Sequence, residues 1–450
     1  MKRETFVNLF LENFKADEFI VNNLYGVLDQ LDPNASYDDL VNIFETSVEF
    51  DQTFDLRAHK TEKATRNIRK LSPRETYIAL IKGYCASVVL MLPRVFQNGG
   101  LGVTPIFIIT SAVISTYCVG KLVDTGLAKQ LYSYSLIVER AFGKKGRFIL
   151  DFMIALTQFS FTIAGIIFIV SSFKITVDTL FSVDSNPWIY GGVIVLIYTP
   201  ISWVRNIAKF SFTFMLGNIL ILMAVLFVSV YCCMVLARQD GIAEGVKLIN
   251  ENEYLTAVGM SVYCFEGIGI VMPVMHSSED PQTFKSMLYA AIATLTTIYV
   301  LFGALGYMAW GNTYIEPYST DMLPASNIAV IIMKFLFSFN LIFSYSITIQ
   351  PANQICGNWF CSCAPKGKCR HWMKNLQRTI VVLCSVIISL TIADKIDKFL
   401  SLVGAVLCAP LAMTIPALVH LSLQAKTTKE KLVDILLIAG SCIVLLFCTI

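Results

Sequence analysis

Charge is scarce in this chain. Asp, Glu, Lys and Arg make up only 15% of its 450 residues, against 55% hydrophobic residues and a mean hydropathy of +0.64. A soluble domain carries about 25% charged residues. One water-soluble core cannot hide this much apolar surface, so an ordinary soluble enzyme is excluded. The usual signatures of chemistry are absent as well. There is no G-x-x-x-x-G-K-[ST] loop to cradle a nucleotide, no H-E-x-x-H zinc pair and no G-x-S-x-G nucleophile elbow. No motif calls for a cofactor. The net charge of +3 offers nothing for nucleic acid to recognise. Only four histidines occur, His59, His276, His371 and His420, and none sits at the middle of an apolar run.

Long apolar runs are what the chain does have. A bilayer helix needs roughly 20 apolar residues. Eleven stretches qualify: Thr76–Phe96, Val103–Val123, Phe148–Phe173, Trp188–Trp203, Phe210–Leu236, Tyr254–Met275, Met287–Trp310, Ala325–Thr348, Leu376–Ile392, Phe399–Leu421 and Leu432–Ile450. They are continuous rather than alternating, so helices are expected and a β-barrel is not. The expected fold is an all-α polytopic membrane protein with 11 transmembrane helices, its natural partner the lipid bilayer.

Charge in the loops sets the orientation. With the N-terminus in the cytosol, the inside loops hold seventeen Lys and Arg. The outside loops hold five: Lys174, Arg238, Lys247, Lys395 and Lys398. The positive-inside rule then places the N-terminus in the cytosol and the C-terminus in a lumen or outside the cell. The first twenty residues lack a clean apolar core, so no cleavable signal peptide is expected.

Two regions precede or interrupt the spans. Residues 1–74 form a cytosolic extension, with a spanning domain over 75–450. The acidic part, 1–55, carries twelve acids and three bases, and the basic part, 56–74, carries seven bases and one acid. Apolar residues near helical spacing suggest two amphipathic helices in the acidic part. These fit either a tail packed on the cytosolic face or a segment that docks a protein partner or plugs the gate. Between spans eight and nine lie Cys356, Cys361, Cys363, Cys369 and His371. Their spacing matches no standard zinc pattern, so no metal is assigned; reduced thiols are expected, with reversible palmitoylation at the membrane edge as the alternative. No cysteine falls in the outside loops, so no disulfide staple is expected there.

A spanning helix broken at mid-membrane bares N–H and C=O groups that can hold a zwitterion without burying extra charge. Two spans show candidate breaks, Lys82-Gly-Tyr-Cys-Ala-Ser-Val-Val-Leu-Met-Leu-Pro93 and Cys264-Phe-Glu-Gly-Ile-Gly-Ile-Val-Met-Pro273. Ser87–Pro93 and Gly267–Pro273 are equal in length and five spans apart, as an inverted repeat of five plus five spans requires. Gly267, Gly269, Pro93 and Pro273 are the helix-breaking candidates. Glu266 sits near the middle of the sixth span, where an ionisable residue is costly and therefore a site candidate. Its two candidate roles are proton coupling and support of the interrupted backbone. Lys82 and Lys334 are the other deep charges.

Several segments, in order, resemble the amino acid/auxin permease family, most closely its proton-coupled and vacuolar branch. They are Leu92-Pro-Arg-Val-Phe-Gln-Asn-Gly-Gly-Leu101; Tyr134-Ser-Leu with Arg140-Ala-Phe-Gly-Lys-Lys-Gly146; Thr199-Pro-Ile-Ser-Trp-Val-Arg-Asn206; Cys264-Phe-Glu-Gly-Ile-Gly269 with Pro273 and Glu279-Asp-Pro281; and Gly306-Tyr-Met-Ala-Trp-Gly311. The resemblance runs from about Leu71 to the C-terminus. It implies a LeuT-type fold and movement of small neutral amino acids toward the cytosol, often with a proton, across a plasma, vacuolar or lysosomal membrane. It places the substrate at Ala86, Ser87 and Val88 in the first span and at Cys264, Phe265, Glu266 and Gly267 in the sixth. Two departures stand out. Val88 replaces a glycine of the family's first break, and Gly165 stands where relatives carry an aromatic in the third span. A non-transporting sensor or assembly subunit built on the same frame is the alternative reading.

Overall fold

The computed structural model describes residues 70–85, 87–204, 211–280, 283–314, 316–360 and 368–449. The two expected amphipathic helices of the extension, Ala86, Cys361, Cys363 and the side chains of Lys82 and Ser87 lie outside the described residues. Among the described residues every regular element is helical, apart from one isolated bridge.

The chain enters the first span through a capping box. Ser72 and Glu75 exchange side-chain and backbone hydrogen bonds, and Pro73 takes the first turn, where its missing N–H costs nothing. Helix α1 (Pro73–Tyr84) then stops in mid-span. A 3₁₀ turn, Ser87–Met91, leads into α2 (Leu92–Gly99). Helix α3 (Thr104–Lys129) is the second span. Helix α4 (Tyr134–Phe181) turns a corner at Gly143, whose φ of 67° suits glycine, so a short first arm feeds the third span. That corner explains the glycine of the Ala-Phe-Gly motif. Helices α5 (Pro187–Trp203) and α6 (Ser211–Arg238) complete the first five spans.

The second five repeat the pattern. The sixth span is α7 (Tyr254–Tyr263) and α8 (Ile268–Ser277), with a non-helical turn between them. Helix α9 (Phe284–Trp310) is the seventh span, and α10 (Ile328–Thr348) runs on into α11 (Gln350–Phe360) as the eighth. The ninth is α12 (Lys368–Ile392). The tenth opens with α13 (Ile396–Val403), widens into two π turns at Gly404–Cys408 and Pro410–Thr414, and closes with α14 (Ile415–Leu423). Helix α15 (Thr428–Thr449) is the eleventh span.

Every expected span therefore has its helix. Eight stretches pass a length and apolarity test alone. The first span fails it because it is broken, the fourth because it has 17 residues, and the ninth and tenth merge into one stretch. Side chains such as Leu196, Leu222, Val230, Ile332 and Phe447 point outward, as a lipid solvent allows. Lipid gives helices no hydrophobic reason to associate, so close backbone approach matters more. Gly259 of α7 and Gly404 of the tenth span meet backbone to backbone, with no room for a Cβ on either.

Candidate functional site

The two interruptions lie side by side. Helix α1 packs on α8 and α9, and α2 packs on α7 and α9. Where α1 crosses α8, the contact is reciprocal. A Cβ on Gly83 would strike the Ile270 side chain, and a Cβ on Gly267 would come within 2.7 Å of the Tyr84 ring. The Tyr299 hydroxyl of α9 donates to the Tyr84 carbonyl at 3.1 Å, which satisfies one acceptor that the end of α1 leaves open. The Phe265 ring leans on Tyr299, with centroids 5.6 Å apart.

The sixth-span gap holds the sequence-assigned residues as follows. Cys264, Phe265 and Glu266 are buried between α7 and α8, and Gly267 is the residue before the first turn of α8. The N–H groups of Gly267, Ile268 and Gly269 have no backbone partner among the described residues. They form a bare, electropositive helix start. Pro273 falls inside α8 rather than at the gap. Its missing N–H leaves the Gly269 carbonyl without its helical donor, and a Cβ added at Gly269 would meet nothing within 4 Å. In the first span, Pro93 lies in the first turn of α2 and Val88 is buried in the 3₁₀ turn.

Glu266 is 9% exposed, and no hydrogen bond or ion pair reaches its carboxyl group among the described residues. Tyr84, Tyr134, Tyr263 and Cys408 stand within electrostatic reach. Burial disfavours the charged form of a carboxyl group, so this position is suited to holding a proton or facing a cation.

At the basic end of the bundle the two half-helices are tied together. Leu71 N donates to Ser277 O at 2.7 Å, and Glu279 N donates to Leu71 O at 2.9 Å. The opposite end is closed by the loop between spans seven and eight. Gln97 and Arg94 donate to the Tyr314 carbonyl, Ser319 N donates to Leu90 O at 2.9 Å, and the Tyr318 hydroxyl donates to Ala164 O at 2.7 Å. Arg94 also pairs with Asp397 at 2.6 Å, joining α2 to α13. Deeper in, Asp321 of this loop lies 2.8 Å from Lys334 Nζ and accepts from Ser171 and Ser172. The Lys334 contact lies off the line of a well-directed hydrogen bond, so it is a charge contact.

One loop group titrates with the seating of this plug. Burial first, and the Asp321 carboxylate second, hold the Glu316 carboxyl group above the usual carboxylate range, with Lys334 and Arg94 opposing. The sign is that of a raised group. Its contribution to the seated loop is complete below the ordinary value of 4.5 and is lost as pH rises through the raised one. Amide hydrogen exchange in residues 311–327 is expected to slow as pH falls through this window, after correction for intrinsic exchange. Glu316→Gln is expected to flatten that dependence, and an unchanged slope in the variant refutes the assignment.

Tyr84, Tyr299 and Asp321 were not singled out by sequence reasoning. For Asp321 a signal existed: Lys334 deep in the eighth span requires an anion, and the preceding loop holds few acids. Tyr299 carries no such signal. Among the described residues, no group of His, Cys, Asp and Glu could hold a metal ion.

A family model described as transmembrane amino acid transporter protein matches residues 69–450. Vacuolar amino acid transporter 3 of Saccharomyces cerevisiae is 28% identical over 377 residues, covering 82% of this chain and 54% of that protein. Vacuolar amino acid transporter 3 of Schizosaccharomyces pombe is 26% identical over 375 residues, covering 83% and 56%. The chain thus spans about half the length of these curated relatives. Among solved structures, the inward-facing conformation of Mhp1 superposes with a TM-score of 0.59 at 12% identity, covering 85% of this chain and 90% of that one. At that identity the likeness shows the fold alone, the LeuT-type arrangement of five plus five spans.

Proposed function

Because the chain belongs to the transmembrane amino acid transporter protein family, we propose that it is a secondary active carrier for small neutral amino acids. It moves them into the cytosol with protons, by alternating access. One observation carries this reading: the first and sixth spans break beside each other, around a buried carboxyl group and a run of bare N–H groups. The α-carboxylate of the substrate meets N–H groups around Ala86, Ser87 and Val88. The α-ammonium meets carbonyls around Cys264, Phe265 and Glu266, with Phe265 lining the pocket and Glu266 exchanging the coupled proton. No large side-chain charge has to be desolvated, because helix ends supply the partial charges. The basic end faces the cytosol, by the excess of Lys and Arg in its loops. The names of the fungal relatives favour the vacuolar membrane.

Uptake of labelled L-alanine into proteoliposomes tests the reading. Saturable uptake, raised by a proton gradient directed with the flux, is expected. Binding without flux would instead favour a sensor. The observation on that side is Val88, a buried β-branched residue where the family has glycine.

Pocket size has its own test. On α4, Phe161 touches Tyr263 and Phe168 touches Tyr318, with ring centroids 4.9 and 4.8 Å apart. Gly165 lies between them on the same helical stripe, and an added Cβ there meets nothing within 4 Å. That space suits the substrate side chain. Gly165→Leu is expected to hold or raise thermal stability, since leucine favours a helix by roughly 0.5–1 kcal/mol over glycine. Uptake should fall most for the larger substrates. Equal uptake of L-alanine and L-leucine in variant and wild type would remove Gly165 from the pocket.

A further inference from the structure

The end of the bundle opposite the basic loops carries a cavity of about 420 Å³ that the transport reading leaves unused. Gln97 and Asn98 of α2 line it, together with the loop between α6 and α7, the end of α9 and the segment entering α13. Loops on that side hold only five bases, and three of them, Lys247, Lys395 and Lys398, gather on this one cavity. They come from two loops far apart in sequence. A scarcity of bases on that side is what membrane topology imposes, so the clustering needs another cause.

The pairing of charges is incomplete. Lys174, by contrast, is tied to Asp178 and Asp184. The ammonium groups of Lys247, Lys395 and Lys398 have no hydrogen-bond or ion-pair partner among the described residues. Of the cavity's acids, Asp397 is matched by Arg94, which leaves Glu253 and Asp394 against three cations. Among the described residues, Glu253 accepts only from the Thr256 hydroxyl, at 3.2 Å. Asn98 is 6% exposed, and among the described residues its amide nitrogen meets only the Met260 thioether at 3.7 Å, a weak acceptor. A nine-tenths buried donor therefore faces the cavity without a strong acceptor.

We propose that this cavity binds an acidic, dicarboxylic amino acid at a site separate from the helix breaks. Its two carboxylates take the lysines and the Asn98 amide, and its ammonium takes Glu253 or Asp394. The three unmatched cations and two unmatched anions complement a ligand with two negative groups and one positive group. The volume lies within the roughly 300–1,000 Å³ of small-molecule sites. The choice of an amino acid over another dicarboxylate rests on the transport reading.

Equilibrium binding of labelled L-aspartate to the purified full-length chain in nanodiscs, at low salt, tests the site. Saturable binding is expected, weakened by added salt and not displaced by excess L-alanine. Lys395→Gln/Lys398→Gln is expected to bind roughly tenfold more weakly. Lys395→Arg/Lys398→Arg keeps the charge and is expected to retain binding, which separates loss of the site from loss of fold. No binding in the wild type, equal binding in the Gln pair, or full competition by L-alanine overturns the proposal. Aspartate binding without uptake of any amino acid sinks the transport reading and leaves this site standing. Alanine uptake without aspartate binding does the reverse.

Discussion

Glu266→Gln is expected to abolish the effect of a proton gradient on amino acid uptake while leaving the protein folded. The carboxyl group is buried in the sixth-span gap with no partner among the described residues. Glutamine matches its shape and keeps a carbonyl acceptor but cannot take up or release a proton. A one-unit proton gradient is worth about 1.4 kcal/mol, or about tenfold accumulation for each coupled proton. The wild type should show that concentration ratio across the proteoliposome membrane, and the variant should equilibrate its substrate without it. A variant that still accumulates in response to the gradient assigns Glu266 to holding the backbone open and moves the coupling elsewhere.

The second large effect concerns stability. Asp321→Asn should destabilise the protein by about 3–5 kcal/mol, because it leaves the Lys334 ammonium buried and unmatched. Asparagine keeps one carbonyl acceptor for one of Ser171 and Ser172 and offers an N–H to the other hydroxyl, so the main loss is the charge facing Lys334. Adding Lys334→Met should recover most of the loss, since a buried ion pair can often be replaced by apolar packing at little cost. Thermal unfolding in detergent, followed by intrinsic fluorescence, measures both. If the double variant melts as low as the single one, the pair is not what seats the loop. Because this loop also holds Arg94, Gln97 and Leu90 of the first span, weakening it should favour opening of that end. Faster modification of a cysteine placed in the outer cavity would report that opening.

The rim and the interior of the site were legible to different degrees. Apolar runs of bilayer length specify helices because lipid offers no partner for a bare peptide group. The gaps at Cys85 and at Cys264–Gly267 fall beside the residues that interrupt those runs. The prolines were a weaker guide. Proline removes a donor and forbids certain conformations, but the first turn of α2 and the interior of α8 both tolerate it here. Tyr299 and Asp321 lie 215 and 149 residues from the partners they bond, Tyr84 and Ser172. No local period or spacing announces such pairs.

The sequence by itself determined a helical membrane protein of eleven spans, the breaks in the first and sixth, and the carboxyl group between them. Each follows from a cost set along the chain, namely burying an unpaired peptide group or an ionisable side chain in hydrocarbon. Only the tertiary structure decided which ring faces which glycine, which loop closes the far end, and which lysines share a cavity. Those depend on distances between spans, and helices that meet in lipid choose their partners by shape and close contact rather than by any pattern one helix carries alone.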